Sequence, residues 1–296
     1  MDRRGQRRRL AALIRRADAA ASRCNGEYIR CVRELRKELL YQLERRDLSR
    51  SADGRDEAIR AAEAQIARLE RRLDAILDAS LVEASRTAYN ASAQMLGGGV
   101  VRYSRERVDA IIDALEAREG GGMAATFAFG MKKQVVTALR NATVSAFREQ
   151  AVAGGSQKQL AEAIRSKWLA AVEDPRSVRF VDKAGRVWNT RNYLMMNVRT
   201  NSMAVYNDVV VDTVARTTGS DLMRISDDGG TDDSCEPCRE WAGRIVSISG
   251  ATEGFPTIAE ARAAGVFHPN CIHTLEPVDE KLDADEIERQ RGGGGG

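Results

Sequence analysis

The sequence predicts a mainly α protein: a long N-terminal helical hairpin or bundle, then a small C-terminal α+β module organised by a metal site. Three observations predict it. Apolar residues recur at spacings of three and four through the first 172 residues. Short β-like runs bounded by turn residues follow Pro175. Both histidines and three of the five cysteines fall in two short clusters, Cys235-Glu-Pro-Cys238 and His268-Pro-Asn-Cys271-Ile-His273.

Residues 6–48 read as helix, with a break placed near Asn25-Gly26. Tyr28, Val32, Leu35, Leu39 and Leu43 form its apolar stripe. Ser49–Gly54 is a turn cluster. A second long helix runs from about Asp56 to Leu96 on a heptad-like stripe of Ile59, Ala62, Ile66, Leu69, Leu73 and Ile76. Two such helices joined by a short turn make an antiparallel hairpin. Ordinary amphipathic packing explains the stripe equally well. Gly97–Gly99 stops the second helix. Ser104 caps a third, which carries Val108, Ile111, Ile112 and Leu115. After Gly120–Gly122 a fourth helix runs from about Ala124 to Val152. Gly154-Gly155 ends it, and Ser156 caps a fifth over 157–172.

Beyond Pro175, Val178–Asp182 and Arg186–Trp188 read as short strands joined by the turn Asp182–Gly185. Thr190 caps a helix through about Ala215. Leu222–Ile225 and Gly243–Ile248 read as strands, Ile258–Ala264 as a short helix, and His268–Val278 as extended. The expected division is 1–172 as a helical assembly region, 175–278 as the α+β module, and 279–296 as a flexible tail.

A structural zinc ion takes four ligands in a tetrahedron, with thiolate and imidazole as its usual donors. A Cys-x2-Cys turn aims two thiolates at one ion, and a second short cluster completes the shell. The candidates are Cys235, Cys238, His268, Cys271 and His273, and four of these five suffice. Cys235, Cys238, His268 and Cys271 rank first, since a Pro-Asn turn folds His268 and Cys271 back on the metal. His273 is the reserve; two residues from Cys271, it shares a face with it in an extended segment. A redox Cys-x2-Cys opens a helix after a strand. Here Asp232, Asp233 and Glu236 disfavour a low-pKa thiolate. A catalytic zinc keeps an open position, and five candidates leave this site closed.

Charge is uneven. Residues 1–50 hold 15 Lys/Arg and 7 Asp/Glu, although the whole chain is only +3. Arg3, Arg4, Arg7, Arg8, Arg9, Arg15 and Arg16 are therefore candidate DNA-phosphate contacts, or equally a solvated helix face. The lack of interleaved aromatics argues against single-strand binding. No apolar run approaches the roughly 20 residues that span a bilayer, so no membrane partner is expected. Cys24 and Cys31, about 10 Å apart along a helix, read as small core residues. Asp227, Asp228, Asp232 and Asp233 read as a solvated turn rather than a cation site. With both histidines in the metal clusters no Ser-His-Asp set can be built. The glycine runs lack the Lys-Ser/Thr of a phosphate loop. No enzymatic activity is expected.

Residues 179–277 resemble the phage minor capsid family (Mu F-type or head morphogenesis, minor capsid protein 2-like). The pieces come in the family's order. Phe180–Trp188 resembles its aromatic hairpin with a central glycine. Tyr193 through Arg199-Thr200 resembles its helix with an Arg-Thr pair. Ile225–Asp227, Cys235-x2-Cys238, Trp241–Gly243 and Ser247–Gly250 resemble the first zinc half, and Phe267–His273 the second. Ile272 stands where family members usually have Arg. The N-terminal helices match in general character only. The resemblance implies a minor head protein of a tailed phage or prophage with a structural zinc. It implies assembly in the host bacterial cytoplasm and a place in the virion head near the portal, with portal and shell proteins as partners. The alternative is a zinc-containing DNA-binding protein using its basic N-terminal arm. The acidic zinc region favours the first.

Overall fold

The computed structural model describes residues 3–45, 52–98, 101–119, 122–173, 179–181, 185–227 and 236–291. Helices dominate: α1 (Arg3–Arg45), α2 (Ala52–Met95), α3 (Arg105–Glu119), α4 (Met123–Ala153) and α5 (Gln157–Glu173). A two-stranded hairpin follows, β1 (Arg179–Val181) and β2 (Val187–Asn189), then α6 (Thr190–Thr218). The remainder is β3 (Leu222–Ile225), α7 (Glu236–Trp241), β4 (Ile245–Ser247), α8 (Ile258–Ala263), β5 (Leu275–Pro277) and α9 (Ala284–Gln290). β3 lies between β4 and β5, antiparallel to both. No described helix is long and apolar enough to cross a membrane.

α1 passes through Asn25-Gly26 without the expected break. A helical glycine costs about 1 kcal/mol against alanine. Burial of Cys24, Tyr28 and Cys31 around it outweighs that. Near its start, Arg9 and Arg16 bond Gln94 and Thr87 late in α2. Further on, Arg72 of α2 pairs with Glu27 and Glu34. Partner numbers fall along α2 as they rise along α1, so the two run antiparallel, as a hairpin requires. Most of the turn cluster between them lies outside the described residues, as does the Leu43 side chain. α2 ends in a Schellman motif: Gly98 N–H donates to Ala93 O at 2.8 Å and Gly97 N–H to Gln94 O at 3.3 Å, with Gly97 at φ 78°. Ser104 and Ser156 cap α3 and α5 as expected, their hydroxyls accepting from Arg107 and Gln159 N–H.

The chain clusters into two compact units, each discontinuous in sequence. One comprises Ala19–Asp78 and Gly120–Met195. Its interior buries Tyr28, Leu35, Leu69, Leu73, Phe127, Leu139 and Trp168, whose indole donates to Thr143 at 2.9 Å. Burial pushes the Cys24 thiol up to about 11 and the Cys31 thiol up to about 12; both are inert core thiols. Phe180, opposite Trp188 in the hairpin, stacks between Phe127 at 4.6 Å and Tyr193 at 4.5 Å. Gly130 of α4 faces that ring; a Cβ there would sit 3.1 Å from Phe180 Cε1. Asn189, not Thr190, caps α6, accepting from Asn192 N–H at 2.9 Å. Residues 182–184 of the expected hairpin turn lie outside the described residues.

The other unit comprises Met1–Asp18, Ala79–Glu119 and Met196–Gly296. Its core joins Leu13 of α1, Leu81, Ala88 and Tyr89 of α2, and Val108, Ile112 and Leu115 of α3. These pack with Met203, Val209 and Val210 of α6 and Met223, Ile225, Val246 and Leu275 of the sheet. Three strands this short draw their core partners from helices, here α1, α2, α3 and α6. Two acids of α6 hold α3: Asp212 accepts from Arg107 and Arg216, and Asp208 from Arg118 and from Arg262 of α8. The stretch expected as a flexible tail carries α9. Ile287 joins a second cluster with Leu222, Ile245, Phe255 and Val278. Gln290 accepts from Ile245 N–H at 2.8 Å and donates to Gly243 O at 3.2 Å. Residues 292–296 lie outside the described residues.

Candidate metal centre

The two cysteine-histidine clusters sit in the unit that holds the three-stranded sheet. Cys238 is on α7, which ends in a turn at Gly243 (φ 77°). Gly243 N–H donates to Ile225 O at 3.0 Å, so the end of α7 is tied to the end of β3. The second cluster lies between α8 and β5. Pro237 packs on Gly265, where a Cβ would lie 3.4 Å from Pro237 Cγ and the backbone holds φ +96°. That close approach brings the first cluster to the chain leading into the second.

Cys238, Cys271 and His273 are gathered there, all buried, their donor atoms within 4.8 Å of one another. Cys238 Sγ lies 3.7 Å from Cys271 Sγ, and Cys271 Sγ lies 3.5 Å from His273 Nδ1. A tetrahedral zinc with metal–sulfur bonds of about 2.3 Å sets sulfur–sulfur edges of about 3.8 Å and sulfur–nitrogen edges of about 3.6 Å. The observed spacings agree with those edges. A disulfide would hold the sulfurs at about 2.05 Å. The donor set therefore fits a borderline-soft cation.

Of the five candidate ligands, then, the structure gathers three. Cys235 lies outside the described residues. His268 is not in the group; its Nδ1 lies 2.8 Å from Pro269 O. The segment expected as extended is a turn from His268 to Cys271. Phe267 and Asn270 have φ 60° and 66°, and Cys271 N–H donates to His268 O at 2.9 Å. A regular strand begins only at Leu275.

Polar side chains of α6, and Ser226 just after β3, hold this turn and the residues that follow it. Thr200 Oγ1 accepts from Asn270 N–H at 3.2 Å, while its neighbour Arg199 pairs with Asp18 of α1. The Arg-Thr pair thus ties one helix to two partners. Ser226 bonds the backbone of Thr274 twice, at 2.8 Å through its N–H and 3.0 Å through its hydroxyl. Asn207 bonds His273 O and Leu275 N–H. Asn207 escapes a reading of motifs. Its signal is position: it falls on the apolar stripe of Met203, Val210 and Val214, where a polar side chain needs a buried partner.

Asp221, just before β3, also escapes it. Its carboxylate accepts from Ser247 Oγ, from the N–H and hydroxyl of Ser249, and from the N–H and hydroxyl of Thr252. Burial pushes this carboxyl up, but the bonds from Ser247, Ser249 and Thr252 outweigh it and hold it well below the usual range. The Ser247–Gly250 run is thus folded round one acid. Of the other acids, Asp227 is exposed, and Asp228, Asp232 and Asp233 lie outside the described residues.

The basic N-terminus is the first turns of α1. Arg9 and Arg16 bond α2, Arg16 also pairing with Glu83. Arg8 and Arg15 are exposed. The Arg3, Arg4 and Arg7 side chains lie outside the description.

The chain is thus a mainly helical protein with a small antiparallel sheet and a buried thiol–imidazole cluster. The chain matches the family model of phage minor capsid protein 2 over residues 100–287. That span is well over half of the sequence and reaches from the approach to α3 into α9. The chain belongs to that family, whose members are structural components of the phage head, so its place is the virion. The match extends the resemblance back through α3, α4 and α5. No curated protein and no solved structure matches the chain.

Proposed function

We propose that this protein is an architectural component of the phage head, placed near the portal, whose helices bind portal and shell proteins. Its α+β module is fastened by one structural zinc ion on Cys235, Cys238, Cys271 and His273. The observation that carries the zinc reading is the agreement of the 3.7 Å and 3.5 Å separations with tetrahedral edges. Cys235 supplies the fourth donor because a Cys-x2-Cys turn aims both thiolates at one ion. Bound there, zinc contributes folding free energy, on the order of 10–16 kcal/mol in small modules. Four protein donors leave no open coordination position, so the protein works by holding other molecules in place rather than by catalysis. It is made in the host cytoplasm and carried into the head.

Elemental analysis of the purified full-length chain tests this reading. One zinc per chain is expected, released on unfolding with a chelator. A chain that is folded and free of stoichiometric zinc overturns it.

A further inference from the structure

We propose that the outward face of α4 is a docking strip for an acidic, amphipathic helix of another head protein; this rests on the chain's role as a head component. Phe129 is 69 % exposed, Val144 46 %, Phe147 38 % and Val152 91 %. All four belong to α4. Phe129, Lys133, Arg140, Val144 and Phe147 follow one another at spacings of four, seven, four and three. At 3.6 residues per turn they share one stripe about 27 Å long. Phe127, Met131, Val135 and Leu139 already bury the other face. A helix that only packed within its own unit needs one apolar stripe. α4 also exposes Phe129 at one end of a second line and Val144 with Phe147 at the other, with the exposed cations Lys133 and Arg140 and the buried Val136 between them; exposed large apolar side chains rimmed by charge mark an interaction site.

Charge selects the partner. Lys133 and Arg140 lie within the stripe and Arg148 at its border, all exposed. The helix carries a single carboxylate, Glu149, which Lys167 and Ser145 bond at 2.8 and 3.0 Å. The Arg55 guanidinium sits 5.4 Å from the Phe147 ring centre. α4 itself thus carries four cations and one carboxylate. A second copy would bring two sets of the same cations onto one seam, with only the already bonded Glu149 of each copy to oppose them. A nucleic-acid backbone would leave Phe129 and Val144 uncovered. A helix with an apolar seam and acidic flanks covers both kinds of group.

The probes are two designed helical peptides with the same leucine seam, one flanked by Glu and the other by Lys, each titrated into the full-length chain. The Glu peptide should bind at least ~10-fold more tightly than the Lys peptide. F129S/F147S should weaken it by at least ~10-fold, with helix content and melting unchanged. K133E/R140E keeps the apolar stripe, serves if F129S/F147S unfolds, and should reverse the preference. Equal binding of the two peptides, no binding of the Glu peptide, or binding indifferent to these substitutions overturns the strip. So does a wild-type dimer that F129S/F147S abolishes, which would make a second copy the occupant. Incorporation into heads separates this inference from the reading beneath it. Wild-type and F129S/F147S chains equally abundant in purified heads sink the strip alone; a wild-type chain absent from heads sinks the head assignment.

Discussion

The Asn207 side-chain amide donates to the His273 carbonyl at 3.2 Å, and its oxygen accepts from Leu275 N–H at 3.0 Å. Asn207 is 3 % exposed, in the middle of α6. One side chain thereby fixes the backbone on both sides of Thr274. It aims the His273 imidazole at the thiols and starts β5 in register with β3. Asn207→Leu keeps the branching and number of heavy atoms and leaves two buried backbone groups unpaired, at about 1–3 kcal/mol each. A loss of about 2–6 kcal/mol in urea unfolding is expected, together with faster zinc release to a chelator. An unchanged urea midpoint would show that the clamp is dispensable.

His273→Ala and His268→Ala should part company. His273 Nδ1 is 3.5 Å from Cys271 Sγ, whereas His268 stands outside the donor group. His273→Ala should purify with less than stoichiometric zinc, and His268→Ala should keep one ion per chain. The opposite outcome would return the fourth place to His268.

The candidate metal centre is legible in the sequence as two clusters but not as a choice among five ligands. Spacing puts Cys271 and His273 on one face of an extended segment, while the Pro-Asn turn argues for His268. The turn that sets His268 apart from Cys271 and His273 has left-handed backbone at Phe267 and Asn270, which spacing does not encode. Helices are legible where an apolar stripe and a cap agree, as at Ser104 and Ser156. The start of α6 is off by one because Asn189 and Thr190 are both good caps. The Gly26 break is overcalled, since burial on both sides outweighs one glycine. Least legible is the division into units. It depends on which apolar faces meet across long sequence separations, as when Leu13 and Val108 enter one cluster with Val246.

Asp221 should make stability depend on pH at the acid end. Its folded-state pKa is lowered from the usual value, so the unfolded chain binds more protons between the two values. The stabilisation is therefore complete above the unfolded value of about 3.9 and is lost as pH falls below it towards the folded value. Asp221→Asn should lower the melting temperature at neutral pH. It should also flatten the fall in melting temperature below about pH 4. Melting curves of the two proteins that stay parallel through that range would remove Asp221 as a source of the acid sensitivity.

A fragment that begins near Pro175 contains every candidate zinc ligand but should not fold on its own. It keeps Met203, Val209, Val210, Met223, Ile225 and Val246, and it loses Leu13, Leu81, Ala88, Tyr89, Val108, Ile112 and Leu115, which pack with them in one cluster. It also loses Arg107 and Arg118, the α3 partners of Asp212 and Asp208, and Asp18, the partner of Arg199. Exposing several large apolar side chains costs about 1.5–3 kcal/mol each, against a total stability of about 5–15 kcal/mol for an ordinary domain. Zinc binding would secure the turn round Cys271 yet leave the inner face of α6 in water. The expected signature is zinc uptake with a broad, non-cooperative melt and binding of a hydrophobic dye. A sharp cooperative melt from the fragment alone, without dye binding, would make the α+β module autonomous and reduce α1, α2 and α3 to an outer layer.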